Sequence, residues 1–256
     1  MQRLTAYQLR SLGVGVLIED GHILALNKPS GLLVLPDRYD EAKANLIGLL
    51  TSAEPEMYVV HRLDRETSGV IVLAKTKDAH ASLNAQFEAR STSKVYHAVC
   101  KGEAEADEGI IDMPLSEHSH VRGKMRPDMK NGKDSITSYR VLERFDGFVS
   151  VEARPKTGRT HQIRVHLAQS GMPIVGDGMY GDGVPFKLSA IKRGYKEREE
   201  PEKPLLERTA LHAYLLTFRH PASGEEMTLE APLPKDMRSV MQALRKYAKS
   251  RPAKDM

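Results

Sequence analysis

The stretch that decides the fold is His61-Arg62-Leu63-Asp64-Arg65-Glu66-Thr67-Ser68-Gly69-Val70-Ile71-Val72-Leu73-Ala74-Lys75-Thr76. Because nearby cations favour the ionised form of a carboxyl group, we expect Asp64, set between two arginines, to act as a nucleophile or base rather than as an acid. Residues 70–73 predict a buried strand, and residues 67–69 predict a turn that presents Asp64 at its edge. The alternative is a structural aspartate that caps a turn beside ordinary surface arginines.

Composition limits the class of protein. Hydrophobic residues make up 40% of the 256 positions, enough to bury a core as one elongated or two-lobed domain, or as two small domains. No apolar run approaches the roughly 18 residues that span a bilayer, and the start of the chain lacks an apolar signal segment, so we predict no membrane segment. The single cysteine, Cys100, excludes an internal disulfide and favours a reducing, cytoplasmic location.

The charge distribution is mildly basic. A net charge of +4 and a pI of about 9.0 are compatible with a polyanionic partner but do not establish one. Tryptophan is absent and aromatic residues make up only 5% of the chain, which disfavours a broad base-stacking platform. Residues 116–135 predict a basic loop, and residues 184–208 predict a mixed-charge insertion. The basic residues of the first segment are Arg122, Lys124, Arg126, Lys130 and Lys133.

Apolar periodicity and turn residues predict many strands and few helices. The predicted strands are residues 14–19, 23–27 with a resumption at 32–35, 70–73, 94–101, 110–113, 137–145, 148–155 and 215–219, and the predicted helices are 42–52, 78–90, 160–170 and 234–249. This pattern is typical of the α+β class, with a largely antiparallel mixed sheet flanked by helices and loops. We expect a lead-in at 1–13, one main domain at 14–249 and a disordered tail at 250–256.

A second string, Pro155-Lys156-Thr157-Gly158-Arg159-Thr160-His161-Gln162-Ile163-Arg164-Val165-His166-Leu167-Ala168, combines a turn with the start of a helix. Thr160 is predicted to cap that helix, whose N-terminus is itself electropositive. Basic side chains at a helix N-terminus either bind a phosphate or form only a solvated basic surface, and the sequence does not distinguish these two alternatives. The basic side chains gathered there are Lys156, Arg159, His161 and Arg164.

Signals for other catalytic chemistry are weak. His161 and His166 lie five residues apart and would not share a helix face as a metal pair does, and the other histidines lack cysteine neighbours. We therefore expect no metal site. Lys28 lacks the glycines of a phosphate-binding loop, and no Ser-His-Asp order is present.

Both long strings resemble the signature of pseudouridine synthases, in the branch that modifies ribosomal and transfer RNA, the RluA type. Shorter motifs are similar to the same family and follow in its order from about residue 16 to about residue 232. They are Asn27-Lys28-Pro29-Ser30-Gly31, Lys94-Val95-Tyr96-His97-Ala98-Val99, Pro173-Ile174-Val175-Gly176-Asp177 with Tyr180-Gly181, Leu211-His212-Ala213, and His220-Pro221. The resemblance implies the catalytic fold of that family, with a central active-site cleft.

The resemblance also implies roles for individual residues. Enzymes of this family convert a uridine within RNA into its C5-linked isomer without a cofactor. Asp64 would be the catalytic carboxylate, which attacks either the uracil ring or the anomeric carbon of the ribose. Arg164 matches the arginine that pairs with that aspartate, and Tyr96 matches the tyrosine that stacks on the target base and is a candidate for removing its C5 proton. Leu211 matches an apolar residue that packs against the pocket.

A uracil in folded RNA reaches such a pocket only when its nucleotide is flipped out of the stack. Arg62 matches the family arginine that fills the vacated position, and the sequence leaves open whether it does so or only neutralises Asp64. The start of the chain leaves no room for the S4-like RNA-binding domain of some relatives, so we expect the catalytic domain to choose its own target. Arg122, Lys124 and Arg126 are then the first candidates for phosphate contacts, and residues 184–208 the second.

The implied partner is structured RNA, ribosomal or transfer, bound by a monomer. Two alternatives remain at the level of sequence. The first is a catalytically silent RNA-binding protein on the same fold, which would bind RNA and never modify it. The second is a hydrolase that uses Asp64 as a nucleophile on a small nucleoside or sugar, and it predicts turnover of free uridine derivatives.

Overall fold

The computed structural model describes residues 9, 12–37, 40, 42–51, 57–196 and 199–249. Most of the predicted lead-in and the whole predicted tail at 250–256 lie outside these residues. The chain divides into two compact units, each made of two segments. The first unit runs to Val95 and adds His212–Pro232, and the second comprises Tyr96–Leu211 and the segment that begins at Leu233.

Strands dominate the described residues, with a few helices between them. The strands are β1 (Gly15–Glu19), β2 (Ile23–Lys28), β3 (Tyr58–Val59), β4 (Ser68–Ala74), β5 (Ser93–Lys101), β6 (Glu108–Asp112), β7 (Leu115–Glu117), β8 (Met125–Pro127), β9 (Ile136–Phe145), β10 (Phe148–Pro155), β11 (Leu211–Arg219) and β12 (Glu226–Glu230). The helices are α1 (Leu46–Thr51), α2 (Lys77–Glu88), α3 (Gln162–Gln169) and α4 (Lys235–Tyr247), with a short 3-10 helix at Leu188–Ala190. Within the part of the chain described here, no helix has the length and apolar character needed to cross a bilayer.

The first unit is built on a mixed sheet in the order β1-β2-β4-β11, and β12 pairs with β11. The pairings of β1 with β2, β2 with β4, and β11 with β12 are antiparallel, whereas β4 and β11 run parallel. All seven residues of β4 are buried, as the apolar run in the sequence predicts. Helix α2 packs Leu83 into the same apolar core, beside Val70 and Phe218.

Gly69 makes the parallel pairing of β4 with β11 possible. A Cβ atom at this position would lie 2.1 Å from the carbonyl oxygen of Ala213, far inside contact distance. The φ of +119° at Gly69 also lies in a region that other residues rarely adopt. Gly69 therefore belongs to the strand, where it lets β11 approach, and does not form the predicted turn.

The second unit carries an antiparallel sheet in the order β5-β10-β9-β6. Strands β9 and β10 form a hairpin in which Phe145 lies opposite Phe148. Helices α3 and α4 contribute Leu167 and Val240 to a core that also contains Val151 of β10. Cys100 of β5 lies in this core, where burial raises the pKa of its thiol and keeps it in the unreactive protonated form.

The predicted basic loop at 116–135 is instead a second, two-stranded element of this unit. Strands β7 and β8 pair antiparallel, with Glu117 opposite Met125. The carboxylate of Asp128 ends the hairpin, because it accepts the main-chain N–H groups of Lys130 and Asn131 and the hydroxyl of Ser116. The basic residues of segment 116–135 are therefore carried on a hydrogen-bonded hairpin. Their charge pattern in the sequence did not indicate this structure.

The predicted mixed-charge insertion at 184–208 is also anchored. Phe186 and Leu206 are buried in the core of the second unit, and the N–H of Phe186 donates to the carbonyl of Leu206 over 2.8 Å. Residues 197 and 198 lie outside the described part of the chain. The exposed charged side chains of this segment are therefore carried on a loop whose two ends are held in the core by Phe186 and Leu206.

The α+β class is confirmed, and most predicted elements are present within one or two residues. The predicted strand at 32–35 is wrong, because that segment makes only an isolated bridge between Leu33 and Asn45. The helix predicted at 42–52 begins later, at Leu46, and is described to residue 51. The strands β3, β7, β8 and β12 were not predicted, because each is too short or too polar to show an alternating apolar pattern.

Candidate active site

Asp64 lies on the segment between β3 and β4, in the first unit. Its side chain is half-buried, that of Arg62 is exposed, and Leu63 between them is buried. The N–H of Thr67 donates to the main-chain oxygen of Asp64 over 3.1 Å, which closes a turn over residues 65–66. The turn therefore begins at Asp64 itself and precedes the predicted position at 67–69, because Ser68 and Gly69 are already part of β4.

The side chain of Arg65 contacts groups other than the carboxylate of Asp64. Its Nε donates to the carbonyl oxygen of Gly31 over 3.2 Å and lies 3.7 Å from Oε1 of Glu66. The side chain is more than half exposed, so this ion pair contributes little. The guanidinium of Arg65 instead joins the turn to the segment after β2.

Lys28 is an anchor for the turn that sequence analysis missed. Its side chain is completely buried at the end of β2, and its Nζ donates to the carbonyl oxygens of Pro29, Leu32 and Arg65 over 2.9, 2.8 and 3.2 Å. A buried ammonium is unfavourable unless such charge-assisted hydrogen bonds replace its water. The bond to Arg65 therefore fixes the main chain directly after Asp64.

The neighbours of Lys28 strengthen the same attachment. The hydroxyl of Ser30 donates to the main-chain oxygen of Glu66 over 2.7 Å. The N–H of Gly31 donates to the main-chain oxygen of Arg65 over 2.8 Å. The segment at 28–31 thus hydrogen-bonds both residues of the turn. The sequence shows a lysine at the end of a strand that is apolar over residues 23–26, but Arg65, the contact that fixes the turn, lies 37 residues away from Lys28.

His61 supports the other side of the turn. Its Nε2 accepts the N–H of Val72 over 3.0 Å, and its ring stacks on Phe87 at 4.8 Å. Burial, together with the charge of Lys94, lowers the pKa of His61 to about 3. The ring is therefore neutral at physiological pH, with its proton on Nδ1, and holds the chain before Asp64 in place.

The start of β4 is tied to β11 by a buried serine-histidine pair. The hydroxyl of Ser68 lies 2.9 Å from Nδ1 of His212, and Nε2 of His212 lies 2.9 Å from the carbonyl oxygen of Ala231. A carbonyl only accepts, so Nε2 carries the proton and Nδ1 accepts the hydroxyl hydrogen of Ser68. Both side chains are buried, which assigns this pair to structure rather than to nucleophilic catalysis.

In the second unit, Arg164 is buried and paired rather than part of a solvated face. Its Nε donates to Oδ2 of Asp177 over 2.7 Å and its Nη2 to Oδ1 over 2.8 Å, a bidentate geometry. Burial alone would raise the pKa of Asp177. The hydrogen bonds and charge of Arg164, with the N–H groups of Met179 and Tyr180, outweigh that effect, so the pKa lies below its ordinary value.

The rest of the predicted basic cluster is spread around the start of α3. The helix begins at Gln162 and is not capped by Thr160; the side-chain oxygen of Gln162 accepts the N–H of Arg159 over 3.0 Å. Arg159 donates its Nε to the carbonyl of Asp134 over 3.2 Å, and Lys156 is exposed. His161 adopts a φ of +54° directly before the helix.

Tyr180 joins several of these groups. Its hydroxyl accepts the N–H of Met125 in β8 over 2.7 Å and lies 2.9 Å from Nδ1 of His161. The guanidinium of Arg164 and the ammonium of Lys124 lie 5.1 and 5.7 Å from the centre of its ring. The Tyr180-Gly181 motif is visible in the sequence, but no pattern there predicts these contacts of the tyrosine.

Of the other predicted site residues in the second unit, Tyr96 on β5 is half-buried and packs against the core of the unit. Leu211 is itself buried in that core. Arg122 and Arg126 of the hairpin are exposed, and Arg126 lies 3.4 Å from the carboxylate of Asp128. In the described part of the chain, no group of three or more His, Cys, Asp or Glu residues is placed to hold a metal ion.

Comparison with known proteins identifies the class. Residues 22–169 match the family described as RNA pseudouridylate synthase. Over 247 residues the chain is 40% identical to the ribosomal large subunit pseudouridine synthase D of Xanthomonas campestris, covering 92% of this chain and 71% of that protein. It is 42% identical over 213 residues to the dual-specificity RNA pseudouridine synthase RluA of Vibrio vulnificus, covering 81% of this chain and 78% of that protein.

A solved structure agrees. Human RNA Pseudouridylate Synthase Domain Containing 4 is 28% identical to this chain, with a TM-score of 0.68 and coverage of 94% of this chain and 96% of that one. The chain belongs to the RNA pseudouridylate synthase family, in its RluA-type branch. The predicted family and activity, an RNA pseudouridine synthase, are confirmed, and the silent RNA-binding alternative is not favoured.

Proposed function

We propose that this enzyme isomerises uridines of large-subunit ribosomal RNA and that Asp64 is its catalytic nucleophile. One observation carries the assignment of Asp64: its carboxylate is half-buried on a turn whose main chain is fixed from residues 28–31 on one side and from β4 on the other. Rigid support of a partly accessible group is what precise attack on a bound substrate requires.

The reaction needs a nucleophile and a proton acceptor but no co-reactant. The bond from N1 of uracil to C1′ of the ribose breaks, a bond from C5 to C1′ forms, C5 loses its proton and N1 gains one. A carboxylate that bonds covalently to the base or to C1′ holds one fragment while the base turns. Such an intermediate avoids hydrolysis only where water is excluded.

We assign Arg164 and Tyr96 to the same chemistry. Arg164 is permanently charged, and its buried, bidentate pairing with Asp177 fixes the plane of its guanidinium. Such a preorganised cation stabilises negative charge that develops during the reaction. Tyr96 offers a ring for stacking on the flipped base and a hydroxyl for the C5 proton, and Leu211 an apolar wall. Arg62, exposed beside the turn, is suited to fill the vacated position in the RNA stack.

The hairpin of β7 and β8 is the first proposed RNA contact. Arg122 and Arg126 are exposed on it, and Lys124 is half-buried beside them. Lys156, Arg159 and His161 around the start of α3 form a second group, and the charged segment at 184–208 a third. Contacts of this kind bind phosphates and recognise RNA shape rather than base edges.

The choice of ribosomal over transfer RNA is supported by relatives that span most of this chain. Proteins from Xanthomonas campestris, Nitrosomonas europaea and Pseudomonas aeruginosa with 37–40% identity are named ribosomal large subunit pseudouridine synthase D. We further propose that residues 14–249 act as one catalytic domain, in a monomer, in the cytoplasm. Light scattering of the purified protein with and without RNA tests the monomer.

The substrate is tested by mapping pseudouridines in total RNA from cells with and without the gene, and from cells that carry Asp64→Asn. We expect specific positions in large-subunit RNA to lose the modification in both mutant strains. Loss confined to transfer RNA would contradict the proposed substrate and leave the proposed nucleophile intact. Retention of every site in the Asp64→Asn strain would contradict the nucleophile.

A further inference from the structure

Tyr180 occupies an unusual position within the second unit, because its side chain contacts both the RNA-contact hairpin and the start of α3. Its hydroxyl accepts a main-chain N–H of β8 at Met125 over 2.7 Å. The same hydroxyl lies 2.9 Å from the imidazole Nδ1 of His161, the residue directly before α3. The hydroxyl oxygen of Tyr180 therefore joins the β7–β8 hairpin, which is proposed to bind RNA, to the start of α3, the helix that carries Arg164.

The bond to His161 holds a backbone conformation that needs support. The φ of +54° at His161 lies in the left-handed region, which only a few per cent of non-glycine residues adopt, asparagine, aspartate and histidine more often than the rest. Such a conformation persists only where the surrounding structure fixes it. The ring of His161 is fixed by the Tyr180 hydroxyl, and the two rings meet edge to face at 5.6 Å.

Tyr180 also contacts the ion pair of Arg164 and Asp177. Its main-chain N–H donates to Oδ1 of Asp177 over 3.1 Å, the oxygen that accepts Nη2 of Arg164. The guanidinium of Arg164 lies 5.1 Å from the centre of the Tyr180 ring, within the range of a cation–π interaction. A displacement of Tyr180 would therefore change the position of the Arg164 guanidinium in two ways, through the ring of Tyr180 and through the carboxylate of Asp177.

A second cation faces the same ring. The ammonium of Lys124, which precedes β8 in the hairpin, lies 5.7 Å from the centre of the ring. Two positive groups that share one ring repel each other. A phosphate that binds beside Lys124 would relieve this repulsion and change the balance of forces on Arg164. The hairpin and the catalytic arginine are thus linked through charge as well as through hydrogen bonds.

We propose that Tyr180 is a positioning residue that couples RNA bound on the β7–β8 hairpin to the orientation of the Arg164 guanidinium. The proposal rests on the proposed function, since it takes the hairpin as an RNA contact and Arg164 as a catalytic group. The coupling acts on the chemical step of the bound complex, where RNA on the hairpin stabilises the productive position of Arg164, and such a kinetic effect need not be mirrored in RNA affinity.

The first test replaces Tyr180 by phenylalanine, which keeps the ring and removes the hydroxyl that binds Met125 and His161. We expect the single-turnover rate constant for pseudouridine formation to fall about tenfold while RNA affinity changes by less than about twofold. Tyr139→Phe is the matched control, since Tyr139 is a partly buried tyrosine of the same unit whose hydroxyl makes no hydrogen bond among the described residues. An unchanged rate in Tyr180→Phe would overturn the proposal.

The second test is a double-mutant cycle with Arg122→Gln/Arg126→Gln in the hairpin. In the wild-type background this change is expected to lower both RNA affinity and the single-turnover rate constant. In the Tyr180→Phe background it is expected to lower affinity by the same factor and the rate constant no further, because the coupling is already lost. Rate effects that multiply in the combined variant would assign Tyr180 an independent, structural role and overturn the proposal.

A second variant guards against simple unfolding. His161→Asn suits the left-handed backbone, because asparagine tolerates that region, but its side chain is too short to replace the imidazole at Tyr180. We expect the same loss in the single-turnover rate constant as for Tyr180→Phe at unchanged thermal stability, whereas a fall in RNA affinity would report the proposed RNA contact of the His161 imidazole. An inactive wild type, or an active Asp64→Asn variant, would instead refute the proposed function. Full activity of both coupling variants beside an inactive Asp64→Asn would refute only this inference.

Discussion

Arg164 and Asp177 form a bidentate ion pair in the interior of the second unit, with N–O distances of 2.7 and 2.8 Å and an aspartate that has no exposed surface. Removal of one partner from a buried pair leaves an uncompensated charge, which is far more unfavourable than loss of a surface pair. The pair therefore stabilises the second unit and at the same time fixes the position of Arg164, the proposed catalytic cation.

Asp177→Asn is expected to lower the free energy of unfolding by about 3 kcal/mol, because the buried guanidinium of Arg164 loses the charge of the carboxylate that it pairs with in a bidentate geometry. The pKa of Asp177 is lowered in the folded chain, so its contribution is present above the unfolded value of 3.8 and is lost as the pH falls below it. Urea denaturation at pH 7 and pH 3 measures both effects. Equal stability of variant and wild type at pH 7 would contradict this account.

Lys28→Met tests the anchor of the Asp64 turn. Methionine keeps the length of the side chain but removes the Nζ donor to the carbonyl oxygens of Pro29, Leu32 and Arg65. We expect a loss of about 2 kcal/mol in stability, and a fall in the single-turnover rate constant at unchanged RNA affinity. Lys77→Met on the exposed start of α2 is the control. A variant that loses affinity but keeps its rate constant would show that Lys28 does not position Asp64.

His61 predicts a pH dependence of stability. Its pKa is lowered from 6.5 to about 3 in the folded chain, so the unfolded chain binds one more proton between these values. The stabilising contribution of neutral His61 is thus complete above pH 6.5 and is lost as the pH falls towards 3. We expect His61 to contribute a loss of about 1.4 kcal/mol in stability per pH unit on acidification in this window.

His61→Gln keeps an acceptor for the Val72 N–H and does not titrate. We therefore expect the slope of the free energy of unfolding against pH to decrease by the amount that one proton contributes. The remaining slope belongs partly to His166, whose pKa is also lowered by burial. His22→Gln, at an exposed position, serves as the control and should follow the wild type. Parallel stability curves for His61→Gln and wild type would refute the prediction.

The hairpin is tested by the salt dependence of RNA binding. Joint replacement of Arg122, Lys124 and Arg126 by glutamine should weaken affinity at low salt, because each lost phosphate contact removes released counterions. The slope of log affinity against log salt should become shallower by about 2 if all three contact phosphates. The same variant with unchanged affinity at low salt would exclude the hairpin as a contact surface.

Local patterns in the sequence were sufficient for most of the fold. The apolar run after Gly69 predicted β4, and the spacing of Leu83 and Phe87 predicted α2, because periodicity is a property of neighbouring residues. The turn at Asp64 was misplaced because the requirement for Gly69 comes from Ala213, 144 positions further along the chain. No local pattern contains that information.

The same limit applies to the candidate site. Charge and motif order indicated Asp64, Arg164 and the basic segment of the hairpin. The partners that fix them were not predictable, since Lys28 reaches a carbonyl 37 residues away and Asp177 follows Arg164 by 13. Arg65 shows the opposite case: adjacent charge in the sequence suggested a pairing with Asp64, whereas its side chain contacts Gly31 and Glu66.

The most direct test of the central claim, that Asp64 is the nucleophile of an RNA pseudouridine synthase, is tritium release from RNA labelled at C5 of uridine. We expect wild type and Asp78→Asn to release tritium at similar rates, and Asp64→Asn to release none while it binds the RNA within about twofold of wild type. Release by Asp64→Asn within about tenfold of the wild-type rate would contradict the claim, because loss of an essential nucleophile removes far more than that.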